Sequence, residues 1–279
     1  MKEYLETNRS WWDERAPLHA RSDFYDVEGF KAGRISLMPL EREELGDVSG
    51  KSLLHLQCHF GLDTLSWARL GARVTGVDFS PQAINLARSL AQEMALEACF
   101  ICSDIYALPE MLSQRFDLVY TSYGVLTWLP DLAGWAEVVA HFLEPGGTFY
   151  IAEIHPFAMV FSDAEDATDL EVFYPYFPTP EPMRFEQEGS YAAPGEETAQ
   201  RVTYEWAYPI GAVVDALIGA GLRIDFLHEF PFMCFQMYPF LEVDEAGRWW
   251  LPGKKETIPM TFSLQATKPV RGEGGGGGG

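Results

Sequence analysis

Five places in this sequence put polar or reactive side chains at the carboxyl end of a short apolar run. They are Gln57-Cys58-His59-Phe60-Gly61, Asp78, Ser103-Asp104-Ile105, Thr121-Ser122-Tyr123 and Glu153-Ile154-His155. If the runs are parallel strands, these residues meet along one edge of a sheet, where open α/β folds bind ligands. Asp78 lies about twenty residues beyond the first turn, where a carboxylate can accept hydrogen bonds from ribose hydroxyls. It could instead cap the following helix, although Ser80 is better placed for that. Asp104 could accept from an adenine amino group or cap the short segment after it. His155 is the best-placed proton acceptor and Tyr123 the second. The alternative for His155 is a loop histidine that caps the backbone at Pro156. Glu153 either stays within its strand or touches a substrate.

The elements that must hold these residues alternate. KSLLHLQC reads as a strand and GLDTLSWARLGA as a helix ending at Gly71; RVTGVD is the second strand. Ser80-Pro81 supplies an N-cap and a proline at the first helical position, and the helix runs to about Ala95. ACFICSD and FDLVYTS are the third and fourth strands. A helix from Asp131 to Phe142 stops at Glu144-Pro145-Gly146-Gly147, and TFYIAEI is the fifth strand. Strands joined by helices of this length imply right-handed crossovers and a doubly wound, mostly parallel sheet. Their nearly continuous apolar runs suit strands covered on both faces. Residues 156–205 break the alternation with prolines, aromatics and acids. It resumes with the helix IGAVVDALIGA and the strands LRIDFLHEF and PMTFSLQATK.

The predicted organisation is an N-terminal helical cap at 1–48 and an α/β domain at 49–270 that includes a lid insertion at 156–205. Residues 271–279, nearly all glycine, are expected to be a disordered tail. Trp11, Trp12, Tyr25 and Trp128 could wall a pocket, with Trp12 and Tyr25 flanking His19; simple packing of the cap on the sheet is the alternative. The net charge of −21 leaves too few cations for a broad nucleic-acid footprint. No run approaches the roughly 18 apolar residues that a membrane span needs. The polar start and four cysteines in 279 residues point to the cytoplasm rather than to a disulfide framework.

LLHLQCHFG, VTGVDFS, CSDI, FDLVYTSYGVL and LEPGGTFYIAE, in that order, resemble the motifs of the class I S-adenosylmethionine-dependent methyltransferases. The resemblance covers roughly residues 50–155, with a compatible end at 209–268. It implies a seven-stranded sheet with the last strand antiparallel, S-adenosylmethionine as cofactor, and methyl transfer to oxygen, nitrogen or carbon of a small molecule. It also implies that Gly61 with Gln57, Cys58 and His59 faces the methionine part. Asp78 would bind the ribose, Asp104 with Ile105 the adenine, Phe79 would pack on the adenine ring, and Thr121 would close the site from the fourth strand. Trp12, His19, Tyr25, Trp128 and Glu153 would face the acceptor, with His155 or Tyr123 taking a proton where one must leave.

The first motif departs from the family pattern. His55 stands where an acid is usual, and Gln57 and His59 stand where glycines are usual. Glycine permits left-handed backbone at little cost, so Gln57 and His59 must adopt the loop with side chains attached. The imidazole of His59 then needs a partner: the methionine carboxylate or a loop carbonyl. No metal is expected at His55 and His59, because their spacing crosses from a strand into a loop. Two other functions remain open: a nicotinamide-dependent oxidoreductase, against which the missing GxGxxG counts, and a non-catalytic S-adenosylmethionine-binding protein.

Overall fold

The chain opens with three helices, α1 (Lys2–His19), α2 (Val27–Lys31) and α3 (Pro39–Leu45). The alternating part follows: β1 (Ser52–Leu56), α4 (Leu62–Arg69), β2 (Arg73–Asp78), α5 (Pro81–Glu93), β3 (Ala98–Cys102), α6 (Leu108–Met111), β4 (Phe116–Ser122), α7 (Leu132–Phe142) and β5 (Leu143–Ile154). A hairpin of β6 (Met183–Glu186) and β7 (Val202–Glu205) precedes α8 (Ile210–Gly219) and β8 (Arg223–Phe230). A second small hairpin, β9 (Glu242–Val243) and β10 (Trp249–Trp250), precedes the last strand, β11 (Thr261–Thr267). This computed structural model describes residues 1–270, so the tail expected at 271–279 lies outside the described residues.

The main sheet has seven strands in the order β3-β2-β1-β4-β5-β11-β8. Pairing is parallel except for β11, which runs antiparallel to both β5 and β8. Strand order reverses between β1 and β4, so a crevice opens beyond their carboxyl ends. Alternate residues build the two faces. Leu54, Leu56, Val119, Phe149 and Ile151 pack with Trp135 and Phe142 of α7 and with Leu217 of α8. Leu53, Leu118, Tyr120 and Tyr150 face the other way, onto Trp67 of α4.

Local chemistry sets the element ends. The Ser80 hydroxyl accepts the Ala83 N–H at 3.1 Å and Pro81 follows, so α5 starts where the sequence predicts. Asp131 does the same for α7, accepting from Gly134 N at 3.0 Å. Strand β5 starts at Leu143, five residues before the predicted start, because the Glu-Pro-Gly-Gly segment is part of the strand. A Cβ on Gly147 would sit 3.1 Å from the Phe116 carbonyl oxygen, so only glycine lets the two strands approach there.

The segment 231–258 forms a small apolar cluster of its own. Met233, Tyr238, Leu241 and Leu251 pack with Ile154, Ala158, Val160 and Phe161. Among the described residues no helix is long and apolar enough to cross a membrane.

Candidate active site

The loop after β1 is the centre of the site. Gln57 has φ +57°, His59 φ +50° and Gly61 φ +81°, so three alternate residues are left-handed. Gly61 has no substitute, since a Cβ there would lie 2.7 Å from Cε1 of Phe100. Gln57 and His59 hold the same conformation with side chains, at about 1–2 kcal/mol each. Hydrogen bonds fix both in place. Gln57 Nε2 donates to the Val125 carbonyl at 3.0 Å, and His59 N–H donates to Asp78 Oδ2 at 2.8 Å. Cys58 is buried between them, its N–H on the Val77 carbonyl.

Asp78 ends β2 and is 9% exposed. Its other oxygen accepts the Ser80 N–H at 2.9 Å. Burial raises its pKa to about 6; the backbone hydrogen bonds oppose that shift and the nearby Asp13 charge adds to it. Asp13, on α1, accepts from the Ser80 hydroxyl at 2.6 Å. Phe79 follows, half-buried. Asp104 ends the neighbouring strand and accepts the Tyr106 N–H at 2.8 Å, capping the turn that holds the buried Ile105. Thr121 points elsewhere: its side chain is fully buried, with the hydroxyl on the Leu56 carbonyl at 3.2 Å.

Helix α1 crosses above this loop. Trp12 lies 5.2 Å from the rings of both His59 and Trp128, and Trp11 stacks on Trp128 at 5.9 Å. His19 Nδ1 and His59 Nε2 are 3.0 Å apart, one donating to the other, and His19 Nε2 is 2.8 Å from the Ser190 hydroxyl. His59 Nε2 thus takes a partner from forty residues upstream. Tyr25 stacks on His19, and its hydroxyl meets that of Tyr191 at 2.5 Å. Trp12, His19, Tyr25 and Trp128 are therefore gathered around the loop. Burial lowers the pKa of both imidazoles, that of His19 to about 3.

Glu153, Tyr123 and His155 are placed differently from the expectation. The Glu153 carboxylate is buried and accepts four backbone N–H groups, those of Gly124, Val125, Leu126 and Ile154. It shapes the turn after β4 and has no capacity left for a substrate. His155 Nδ1 accepts the Phe157 N–H at 3.0 Å. Its Nε2 lies 2.9 Å from Glu229 Oε1, an ion-pair distance without hydrogen-bond alignment. With its Nδ1 lone pair taken by the backbone, His155 here makes the capping contact that was the alternative to a base. Tyr123 donates to Glu41 Oε2 at 3.0 Å and receives the Cys234 thiol at 3.3 Å. His55 faces α4, bonded to the Thr64 hydroxyl at 2.8 Å.

Several of these partners were not predicted. Asp13, Glu41 and Ser190 carry contacts that the sequence does not announce. Only Glu41 leaves a trace, as an acid two residues after the helix-starting Pro39; its side chain accepts the Met38 N–H at 2.9 Å.

Comparison with known proteins agrees with this geometry. Residues 53–147 match the family described as a methyltransferase domain. The chain is similar to the ubiquinone biosynthesis O-methyltransferase of Methylobacterium sp. (strain 4-46), 30% identical over 148 residues, covering 52% of this chain and 59% of that one. It is also similar to the enzyme of that name from Alkalilimnicola ehrlichii, 32% identical over 140 residues, 49% of this chain and 51% of the other. The matches thus span little more than half the length of these relatives. Among solved structures, an S-adenosylmethionine-dependent methyltransferase from Mesorhizobium loti superposes with a TM-score of 0.58 at 22% identity, over 85% of this chain and 99% of that one. One from Clostridium acetobutylicum gives 0.54 at 16% identity, over 91% and 96%. At such identities these two speak for the fold, and they share its extent. Residues 53–147 match a methyltransferase domain, and the whole seven-stranded sheet has the fold of these solved S-adenosylmethionine-dependent methyltransferases.

Proposed function

We propose that the chain transfers a methyl group from S-adenosylmethionine to a small-molecule acceptor. The observation that carries this reading is the loop 57–61, with left-handed backbone at Gln57, His59 and Gly61, clasped to Asp78 beside the point where strand order reverses. The residues present suit the cofactor. A carboxylate has about four lone-pair sites, and Asp78 uses two of them on backbone N–H groups, leaving acceptors for ribose hydroxyls. Gln57 Oε1 is buried without a partner, an acceptor suited to an amino-acid ammonium group. Phe79, Asp104 and Ile105 continue along the same sheet edge toward an adenine.

When bound, S-adenosylmethionine supplies an electrophilic methyl group on a sulfonium sulfur. The protein's task is orientation, which can contribute on the order of 7–11 kcal/mol. In this reading residues 49–270 are the catalytic domain, residues 1–48 cap it and residues 156–205 close it, excluding water. The family match begins after the cap and ends before the insertion. The acceptor is therefore not inherited from relatives, and oxygen, nitrogen and carbon all fit. No nucleic acid or membrane enters the reading, since the net charge of −21 suits neither phosphates nor anionic lipid. A cytoplasmic location accompanies it, in keeping with the four free thiols.

Calorimetry with S-adenosylmethionine, its demethylated product and NAD tests the cofactor. Binding of the first two and not of NAD is expected. Asp78→Ala should weaken that binding by roughly 1.5–3 kcal/mol, about tenfold or more, while the protein stays folded. Binding of NAD alone would replace the reading with an oxidoreductase. Methyl release over a metabolite panel then separates an enzyme from a protein that only binds the cofactor.

A further inference from the structure

One face of α1 is stitched to the insertion along its length. Asn8 pairs with the Tyr204 backbone in both directions, at 2.7 and 2.8 Å. Glu14 accepts the N–H groups of Ala199 and Gln200 at 2.8 and 3.1 Å. Arg15, fully buried, donates to the Gln200 carbonyl at 2.5 Å, the Thr198 hydroxyl at 2.6 Å and the Gly189 carbonyl at 3.3 Å. His19 reaches Ser190, and Tyr25, just beyond the helix, reaches Tyr191. Residues this far apart in sequence share one set of bonds, so α1 and the hairpin form one body.

That body meets the sheet over the 57–61 loop. His19 bonds His59, Asp13 bonds Ser80, and Trp12 lies against the His59 ring. The seam is imperfect. Trp11 Nε1 on the cap and Gln57 Oε1 on the loop are both buried without partners. A buried donor and acceptor left unmatched disfavour the closed arrangement and oppose the apolar packing of Ala16 with Ala83, Ile84 and Ala87 of α5.

We propose that α1 and the β6–β7 hairpin open and close as one unit, and that the His19–His59 hydrogen bond is the latch holding it shut over the 57–61 loop. It rests on the function above only for the identity of the ligand admitted. His19 belongs to neither the loop nor the sheet, yet it touches both the loop and the insertion, so its removal loosens the unit from the loop while Asn8, Glu14 and Arg15 keep α1 and the insertion together.

Hydrogen exchange on the full chain reads this motion without any ligand. In His19→Phe, which keeps a ring and removes both nitrogens, the amides of α1 and of residues 189–204 should exchange faster by the same factor, roughly 3–10-fold, as loss of a hydrogen bond implies. Amides of β1 and β4 should be unchanged. Ser190→Ala, which removes only the insertion side of the chain of bonds, should speed residues 189–204 less and is the readout if His19→Phe disturbs the sheet. Association of S-adenosylhomocysteine, followed by tryptophan fluorescence, should quicken in His19→Phe by a comparable factor. Failure of the wild-type protein to bind that probe would count against the methyltransferase reading and leave the exchange result intact. Independent exchange of α1 and residues 189–204, or unchanged exchange in both variants, overturns the latch.

Discussion

Replacing Glu41 by glutamine should change how stability depends on pH. Glu41 is 1% exposed beneath the sheet's α4 face. Its Oε1 accepts the Met38 N–H and the Tyr120 hydroxyl, and its Oε2 the Tyr123 hydroxyl. Asp63 on α4, Tyr120 on β4, Tyr123 just after it, Tyr150 on β5 and Cys234 after β8 are its titratable neighbours, and none of them brings a positive charge. Burial, then the Asp63 charge, raises the Glu41 pKa from 4.5 to about 8, against the opposing hydrogen bonds. The folded pKa exceeds the unfolded one, so the folded state holds the extra proton. The contribution is full below about pH 4.5 and is lost as pH rises through 8. A gap of three to four units at about 1.4 kcal/mol each sets an upper scale of roughly 4–5 kcal/mol. Relaxation around the carboxylate reduces this, and about 2–4 kcal/mol is the expected loss between pH 5 and pH 8.5. Urea denaturation across that range should show wild-type stability falling by this much more than that of Glu41→Gln, with the variant the more stable at pH 8.5. Parallel curves for the two proteins would show that Glu41 ionises freely, and the burial argument would fail.

The two left-handed residues of the first loop should respond differently to glycine. Gln57→Gly relieves strain and removes an unpaired oxygen at the loss of one bond to Val125, so its melting stability should stay within about 1 kcal/mol of wild type. His59→Gly also loses the His19 bond and three ring contacts, and should be less stable by about 1–3 kcal/mol; a gain in both variants would mean that strain dominates the loop. Acid should open the cap: both imidazoles are held neutral when closed, by burial and, for His19, by Arg15 as well, with Tyr25, Tyr191 and Ser190 adding no charge, Asp78 engaged by the His59 and Ser80 N–H groups and Asp13 by the Ser80 hydroxyl. The closed pKa is depressed below the ordinary histidine value, so protonation favours the open form as pH falls below about 6.5. Limited proteolysis at residues 189–204 should therefore quicken between pH 7 and pH 5, and in His19→Phe it should be fast and nearly independent of pH.

What sequence could disclose divides by the range of the interaction. Ser80-Pro81 and Asp131 cap their helices with bonds to residues three positions on, so their roles are written locally. The left-handed backbone at Gln57 and His59 was also legible, because the strand-to-helix turn dictates it whatever side chain stands there. The partner of His59 was not, since it arrives on a helix forty residues away. Glu153 shows the same limit more sharply: a carboxylate at a strand end suggests a substrate contact, yet four backbone N–H groups converge on it once β4 and β5 pair. His155 has its Nδ1 on the Phe157 N–H, two residues on, and sequence offered that capping role as the alternative to a base. The strands of the hairpin β6–β7 alternate apolar and polar residues over only four positions each, too short a run to announce a hairpin, and the segment between them is held by Glu14 and Arg15 bonding its backbone. A segment held by its main chain leaves little mark on its side chains. The loop and strand-end half of this candidate site is therefore readable from motif and spacing, while the contacts made across it by α1 and the insertion depend on bonds spanning more than 170 residues.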